Sequence, residues 1–142
     1  MKTLQTEAKI ENLQLVLSFL EEYLEAMDCS PRMTMQLQVA LEEMYTNICF
    51  YAYVPESGDV LLLLDNRGSV LKIYLIDRGV EFDPTAKEDP DVSLDASQRP
   101  IGGLGIYMVK KIVDRMIYRR INGLNVLCLV KDISRENGDG KI

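Results

Sequence analysis

The chain has 142 residues, 47% of them hydrophobic and 27% charged, and its 16 basic and 22 acidic side chains give a net charge of −6. That size and balance suit one folded domain able to bury its own core without a disulfide or a metal. The acidic balance argues against a nucleic-acid phosphate backbone as the main target, and the absence of histidine, with only three scattered cysteines (Cys29, Cys49, Cys128), argues against zinc sites and histidine-based catalysis.

The first residues, 2–6, suit a short edge strand. From residue 10, apolar side chains recur at three- and four-residue steps (Ile10, Leu13, Val16, Leu17, Leu20, Tyr23, Leu24, Met27), which predicts one face of a long helix. Ser30 and Pro31 then read as an N-cap followed by proline at the first helical position. The helix they open carries Leu37, Leu41, Met44 and Ile48 on one stripe and should end near Tyr53, ahead of Pro55 and Gly58.

The period then changes. Residues 60–64 and 70–76 are β-rich and flank Asp65-Asn66-Arg67-Gly68, a turn sequence, so they predict an antiparallel hairpin. Periodicity vanishes between Phe82 and Ile101, where prolines and acids gather, and a loop of that length suits a lid. A third helix is expected over 103–115, with Ile106, Val109, Ile112 and Val113 facing inward. Strands over 116–121 and 126–130 flank Asn122-Gly123, a second hairpin turn. The domain should occupy 1–133, with 134–142 a frayed tail.

This order predicts an α+β fold, a two-layer sandwich in which a mixed, mostly antiparallel sheet is covered on one face by about three helices. The longest apolar run, 60–64, has the length of a strand rather than a membrane span, and the opening residues lack a secretory apolar block. A cytoplasmic protein with no membrane contact is expected.

Three segments stand out chemically. Glu43 and Asn47 lie four apart on the second helix and project from one face, bordering the apolar stripe; a solvated helix face would look the same. Asp77, at the end of an apolar strand with Gly79 two residues on, places a carboxylate at the sheet's end. An ionised carboxylate only accepts hydrogen bonds, which suits an exocyclic amine; a plain strand-ending turn has the same composition. Gly102-Gly103-Leu104-Gly105 opens the third helix, where backbone N–H groups and the helix dipole favour an anion. It lacks the Gly-Lys-Ser/Thr of a P-loop, and Met108 stands where a dinucleotide fingerprint has its third glycine.

Taken in order, these segments resemble the nucleotide site of the GHKL (Bergerat-fold) ATPase superfamily, and most closely its anti-sigma factor serine/threonine kinase branch. Glu43-x-x-x-Asn47 resembles the N box, Asp77-x-Gly79 with Phe82-Asp83-Pro84 the first glycine box, and Gly102-Gly103-Leu104-Gly105 the second. The stretch 125–131 resembles the family's final strand, and the likeness spans about 6–131.

The resemblance implies ATP and Mg²⁺ as ligands. Asn47 would coordinate the Mg²⁺, Asp77 would bind the adenine amine, and Gly79 would give the base room. Gly102, Gly103, Leu104 and Gly105 would form the phosphate turn, and Glu43 would be the general base that takes the proton of an incoming serine. The chain departs from the pattern at Glu81, where glycine is frequent in the wider superfamily, at Tyr51, where histidine is common, and at Cys128, where a threonine near the adenine is frequent.

The implied partner is a STAS-domain anti-anti-sigma factor, with a sigma factor as a further ligand and a homodimer as the assembly. The alternative from another class is a non-catalytic ATP-dependent regulatory binding module. A free-standing relative of histidine kinases lacks support, since the chain has no histidine to phosphorylate.

Overall fold

A computed structural model describes residues 1–53, 56–86 and 104–135. Their elements follow in the order β1 (Lys2–Glu7), α1 (Leu13–Ala26), α2 (Pro31–Asn47), β2 (Asp59–Arg67), β3 (Val70–Asp77), α3 (Leu104–Ile112), β4 (Arg115–Ile121) and β5 (Leu124–Asp132). The five strands form one sheet in the order β1-β2-β3-β5-β4, and every pairing in it is antiparallel. The α+β expectation holds, with the sheet antiparallel throughout rather than mixed.

Side-chain alternation decides which residues enter the core. Val60, Leu62 and Leu64 of β2, Leu71, Ile73 and Leu75 of β3, and Leu127 and Leu129 of β5 are buried, and they share one face of the sheet. Register locks them into rows, with Leu64 opposite Ile73 and Ile73 opposite Leu129, then Leu62 opposite Leu75 and Leu75 opposite Leu127. The helices supply the other half of the core. Val16, Leu20 and Leu24 repeat every four residues along α1, and Met33, Leu37, Leu41 and Met44 recur at steps of four, four and three along α2. Each such side chain contributes roughly 1.5–3 kcal/mol when fully withdrawn from water.

Local signals fix the helix ends. The Ser30 hydroxyl accepts from the Met33 N–H at 3.1 Å with Pro31 in the first turn, as the sequence predicts. Tyr45 is fully buried on α2; its hydroxyl lies 2.7 Å from the Lys9 carbonyl and 3.1 Å from that of Glu7, and accepts from the Lys9 N–H at 3.2 Å. It thereby holds the turn between β1 and α1 onto α2. Burial raises the Tyr45 phenol far above its usual range.

The second helix ends at Tyr53 as expected, but its type over the last turn and two other boundaries differ from the sequence expectation. The α-helical register of α2 stops at Asn47 and continues over Ile48–Ala52 as a π-helical turn, a wider coil often found at functional sites. The first hairpin turns at Gly68 and Ser69, not over 65–68: Asp65, Asn66 and Arg67 stay paired with β3, and Gly68 takes the left-handed conformation (φ +58°). Arg115 belongs to β4 rather than α3, because the Asp114 N–H already bonds the Val130 carbonyl at 2.8 Å. Asp114 also accepts from the Asp132 N–H at 2.7 Å and pairs with Lys131 at 3.4 Å, so the C-terminal end of α3 is tied to β5. The second hairpin turns at Asn122 and Gly123, both at positive φ, as predicted. The lid beyond Ala86, Gly102 and Gly103, and the tail from 136 fall outside the described residues.

Candidate functional site

Beneath the helices, at the end of the sheet where β3 stops, lies a cavity of about 520 Å³. Glu43, Asn47, Asp77 and Gly105, taken from three separate segments of sequence, all line it. Its apolar wall includes Met44 and Ile48 from the α2 side, Leu75 and Leu127 from the sheet, and Ile106 from α3, with Val80, Phe82 and Pro84 from the chain that leaves β3. A volume in this range, mostly apolar with a few polar groups, suits a small organic ligand.

Asp77 is buried at the end of β3, and its inward direction follows from the alternation that buries Ile73 and Leu75. Its Oδ1 accepts from the Gly79 N–H at 2.8 Å and from Asn125 Nδ2 at 2.9 Å; among the described residues no bond reaches Oδ2. A carboxylate with one oxygen engaged and the other beside the cavity can take a hydrogen bond from an amine on a ligand.

The chain after Asp77 is pinned residue by residue. Tyr53 Oη accepts from the Arg78 N–H at 2.7 Å and donates to the Asp59 carbonyl at 2.6 Å. Arg120 donates to the Gly79 carbonyl at 2.9 Å, and the Val80 N–H donates to the Ala52 carbonyl of the π-turn at 2.9 Å. A Cβ at residue 79 would collide with that same carbonyl and come within 2.5 Å of the Ala52 methyl. Close passage over Ala52 is therefore what requires glycine here.

Glu43 and Asn47 stand one turn apart on α2, as their spacing predicts. The Glu43 carboxylate rests against Gly105 in the first turn of α3, where a Cβ would collide with it. A carboxylate at a helix N-terminus gains from the dipole. Glu43 and Asn47 together offer hard oxygen donors from one helix face, a set that suits Mg²⁺, which takes few protein ligands and completes its shell with water and phosphate oxygens. Among the described residues there is no cluster of three or more His, Cys, Asp or Glu that would hold a metal by protein alone.

Of the other residues singled out in the sequence, Tyr51 lines the cavity, Leu104 is partly exposed and is not among the lining residues, and Gly102 and Gly103 lie outside the described residues. Cys128 is corrected. Inward positions of β5 are 125, 127 and 129, so Cys128 faces the opposite side of the sheet, across from Tyr74, and Leu127 and Asn125 are the ones that meet the cavity.

Asn125 is the polar residue that sequence reasoning missed. It is buried directly across from Asp77, donates additionally to the Val80 carbonyl at 2.8 Å, and accepts from the Tyr118 hydroxyl at 2.6 Å. Counting register back from the Asn122-Gly123 turn and placing β5 beside β3 would have revealed it. Burial raises the Tyr118 phenol, with Glu81 adding to the rise and Arg120 and the Phe82 backbone opposing it.

The profile of the family described as histidine kinase-like ATPase domain matches residues 6–131. Proteins named serine-protein kinase RsbW from Bacillus cereus (strain AH820), Bacillus anthracis and Bacillus thuringiensis (strain Al Hakam) are 31% identical over 104 residues, 70% of this chain. The match spans 64% of the length of those relatives. The solved structure of the RsbU and RsbW domains of Rv1364c from Mycobacterium tuberculosis superposes with a TM-score of 0.59 at 17% identity, covering 92% of this chain and 32% of that one, a likeness of fold. No described helix is long and apolar enough to cross a membrane.

Proposed function

The chain belongs to the histidine kinase-like ATPase (GHKL) family, and from that premise we propose that it is of the anti-sigma factor kinase branch, binds Mg-ATP in the cavity beside Asp77 and phosphorylates a protein serine. The observation that carries the reading is the convergence of Glu43, Asn47, Asp77 and Gly105 on one cavity of about 520 Å³.

Each residue then has a role that its chemistry can perform. Asp77 accepts from the amine of adenine, and Leu75, Leu127, Met44 and Ile106 bury the base. Gly105 offers the open backbone of a helix start to the phosphates, together with Gly102, Gly103 and Leu104. Asn47 would hold Mg²⁺, which would neutralise the charge that builds on the phosphates. Glu43 takes the proton from the attacking serine hydroxyl, and for this its carboxylate must leave Gly105 and come within about 3 Å of the nucleophile.

The substrate in this reading is a STAS-domain anti-anti-sigma factor, a sigma factor is a second ligand held by the same chain, and the working assembly is a homodimer. What supports these partners is the set of RsbW serine-protein kinases to which the chain is similar. The test is transfer of labelled γ-phosphate from ATP to a STAS-domain protein, comparing wild type with Glu43→Gln. Loss of transfer in the variant with nucleotide binding retained is the expected result; equal rates remove Glu43 from the chemistry. Tight ATP binding by wild type without transfer to any such partner would leave a non-catalytic nucleotide-dependent binding module.

A further inference from the structure

The Asn125 side chain is set among groups that leave its amide only one orientation. Its nitrogen faces the Asp77 carboxylate at 2.9 Å and the Val80 carbonyl at 2.8 Å. Both are acceptors, so both amide hydrogens are spent and Asn125 has none to give to a ligand. Its oxygen takes the Tyr118 hydroxyl at 2.6 Å and keeps a second lone pair at a position that lines the cavity. Asn125 and Tyr118 come from the two strands of one hairpin, while Asp77 and Val80 belong to the end of β3 and the chain leaving it.

We propose that Asn125 and Tyr118 are positioning residues for base recognition: they hold the Asp77 carboxylate with Oδ1 engaged, so that the polar end of the cavity presents acceptors and reads the 6-amino group of a purine. The proposal rests on the ATP-binding reading above and deepens it. With Oδ1 bound by both Gly79 and Asn125, rotation of the carboxylate breaks two hydrogen bonds, so the carboxylate that lines the cavity keeps its orientation, with Oδ2 unbonded among the described residues. A base bearing a 6-amino group meets that acceptor with a donor. A base bearing a 6-oxo group presents oxygen to oxygen, and a base with hydrogen at that position leaves a partly desolvated carboxylate without a partner. Tyr118 also lines the cavity, and it acts on Asp77 through Asn125, since its hydroxyl bonds Asn125 and not Asp77. Without its hydroxyl the amide loses the bond that restrains its oxygen, and the two donors that restrain Asp77 and Val80 loosen with it.

The experiment compares dissociation constants of the Mg complexes of ATP and of purine ribonucleoside triphosphate, which lacks the amine. They are measured by calorimetry for wild type, Asn125→Leu and Tyr118→Phe, with thermal melts alongside. Wild type should prefer ATP by about tenfold or more, and Asn125→Leu should bring the preference close to unity by weakening ATP far more than the analogue, the size of effect expected when one buried polar partner is removed. Tyr118→Phe should shrink the preference by a smaller factor in the same direction. A residue with a merely structural part would weaken both nucleotides equally and leave the ratio unmoved. Variants that keep the full wild-type ratio, or a wild type that binds both nucleotides alike, overturn the proposal. A wild type that binds neither nucleotide refutes the ATP-binding reading instead. Should Asn125→Leu fail to fold, Tyr118→Phe, which retains the ring, decides.

Discussion

Two glycines in this protein are irreplaceable for different reasons, and substituting alanine at each separates them. At residue 79 the added methyl would sit 2.5 Å from the Ala52 Cβ and 2.7 Å from its carbonyl carbon, where ordinary contact is 3.4–4 Å. Backbone, not a flexible side chain, blocks it, so the segment after β3 must lift away from the π-turn. Overpacking of that kind costs about 1–3 kcal/mol. The lift also stretches the 2.9 Å bond from the Val80 N–H to the Ala52 carbonyl, worth about 1 kcal/mol. Gly79→Ala should therefore lose about 2–4 kcal/mol, a fall in melting temperature of about 10 °C for a domain of this size.

Gly105→Ala is different. Its methyl would strike the far end of the Glu43 side chain, which can swing aside, and alanine in a helix gains back up to roughly 1 kcal/mol. Stability should stay within about 1 kcal/mol of wild type, while the added methyl takes up space at the start of α3 where the phosphates are proposed to bind, and phosphate transfer falls. Urea unfolding of both variants, with phosphotransfer assayed on the same samples, tests the pair. The reasoning fails if Gly79→Ala is as stable as wild type, or if Gly105→Ala unfolds as readily as Gly79→Ala.

Other expectations follow from single contacts. Tyr45→Phe strips the buried hydroxyl that serves Lys9 and Glu7 and should cost about 1–3 kcal/mol in denaturant unfolding; an unchanged midpoint would contradict the hydrogen bonds described. Asp132 accepts from the Ser134 hydroxyl first, and from the Ser69 hydroxyl and Ser134 N–H, which lowers its pKa from 3.8 to about 2. Because the folded value is depressed, its contribution is present above the unfolded value and is lost as pH falls through about 2. Asp132→Asn should accordingly be less stable than wild type at pH 5–7, with the gap closing between about pH 4 and pH 2; a gap independent of pH refutes the assignment. Mg-ATP at about 100 times its dissociation constant should add roughly 2.7 kcal/mol to wild-type stability in the same unfolding experiment, and no shift at any attainable concentration would count against the cavity as its site.

Much of this architecture is legible from local chemistry. Periodicity locates α1 and the stripe of α2, Ser30 and Pro31 mark a cap that the structure bears out, and Asn122-Gly123 marks a turn. The residues that meet at the cavity could be named because each sits at a signalled end: Asp77 at the close of an apolar strand, Gly105 at a helix start, Glu43 and Asn47 one turn apart. What sequence could not show depends on pairing between distant strands. Whether residue 125, 127 or 128 meets the cavity hangs on the register of β5 against β3, and a shift of one residue reverses every side chain. That is why Cys128 drew attention and Asn125 did not. The π-turn escaped for a similar reason, since the composition of 48–52 is that of any helix and the wider coil answers to the chain passing over Ala52.

Ile106 and Val109 pack α3 into the core, and the polar ties described for it gather beyond its C-terminal end. Asp114 binds the Val130 carbonyl, the Asp132 N–H and Lys131, so the C-terminal end is a fulcrum on the sheet. The glycine end lies nine residues away, a lever of about 13 Å at the rise of an α-helix, and a tilt of about 10° sweeps its tip through about 2 Å. Such an arc is the size of displacement that would separate Gly105 from Glu43 while the sheet stays still.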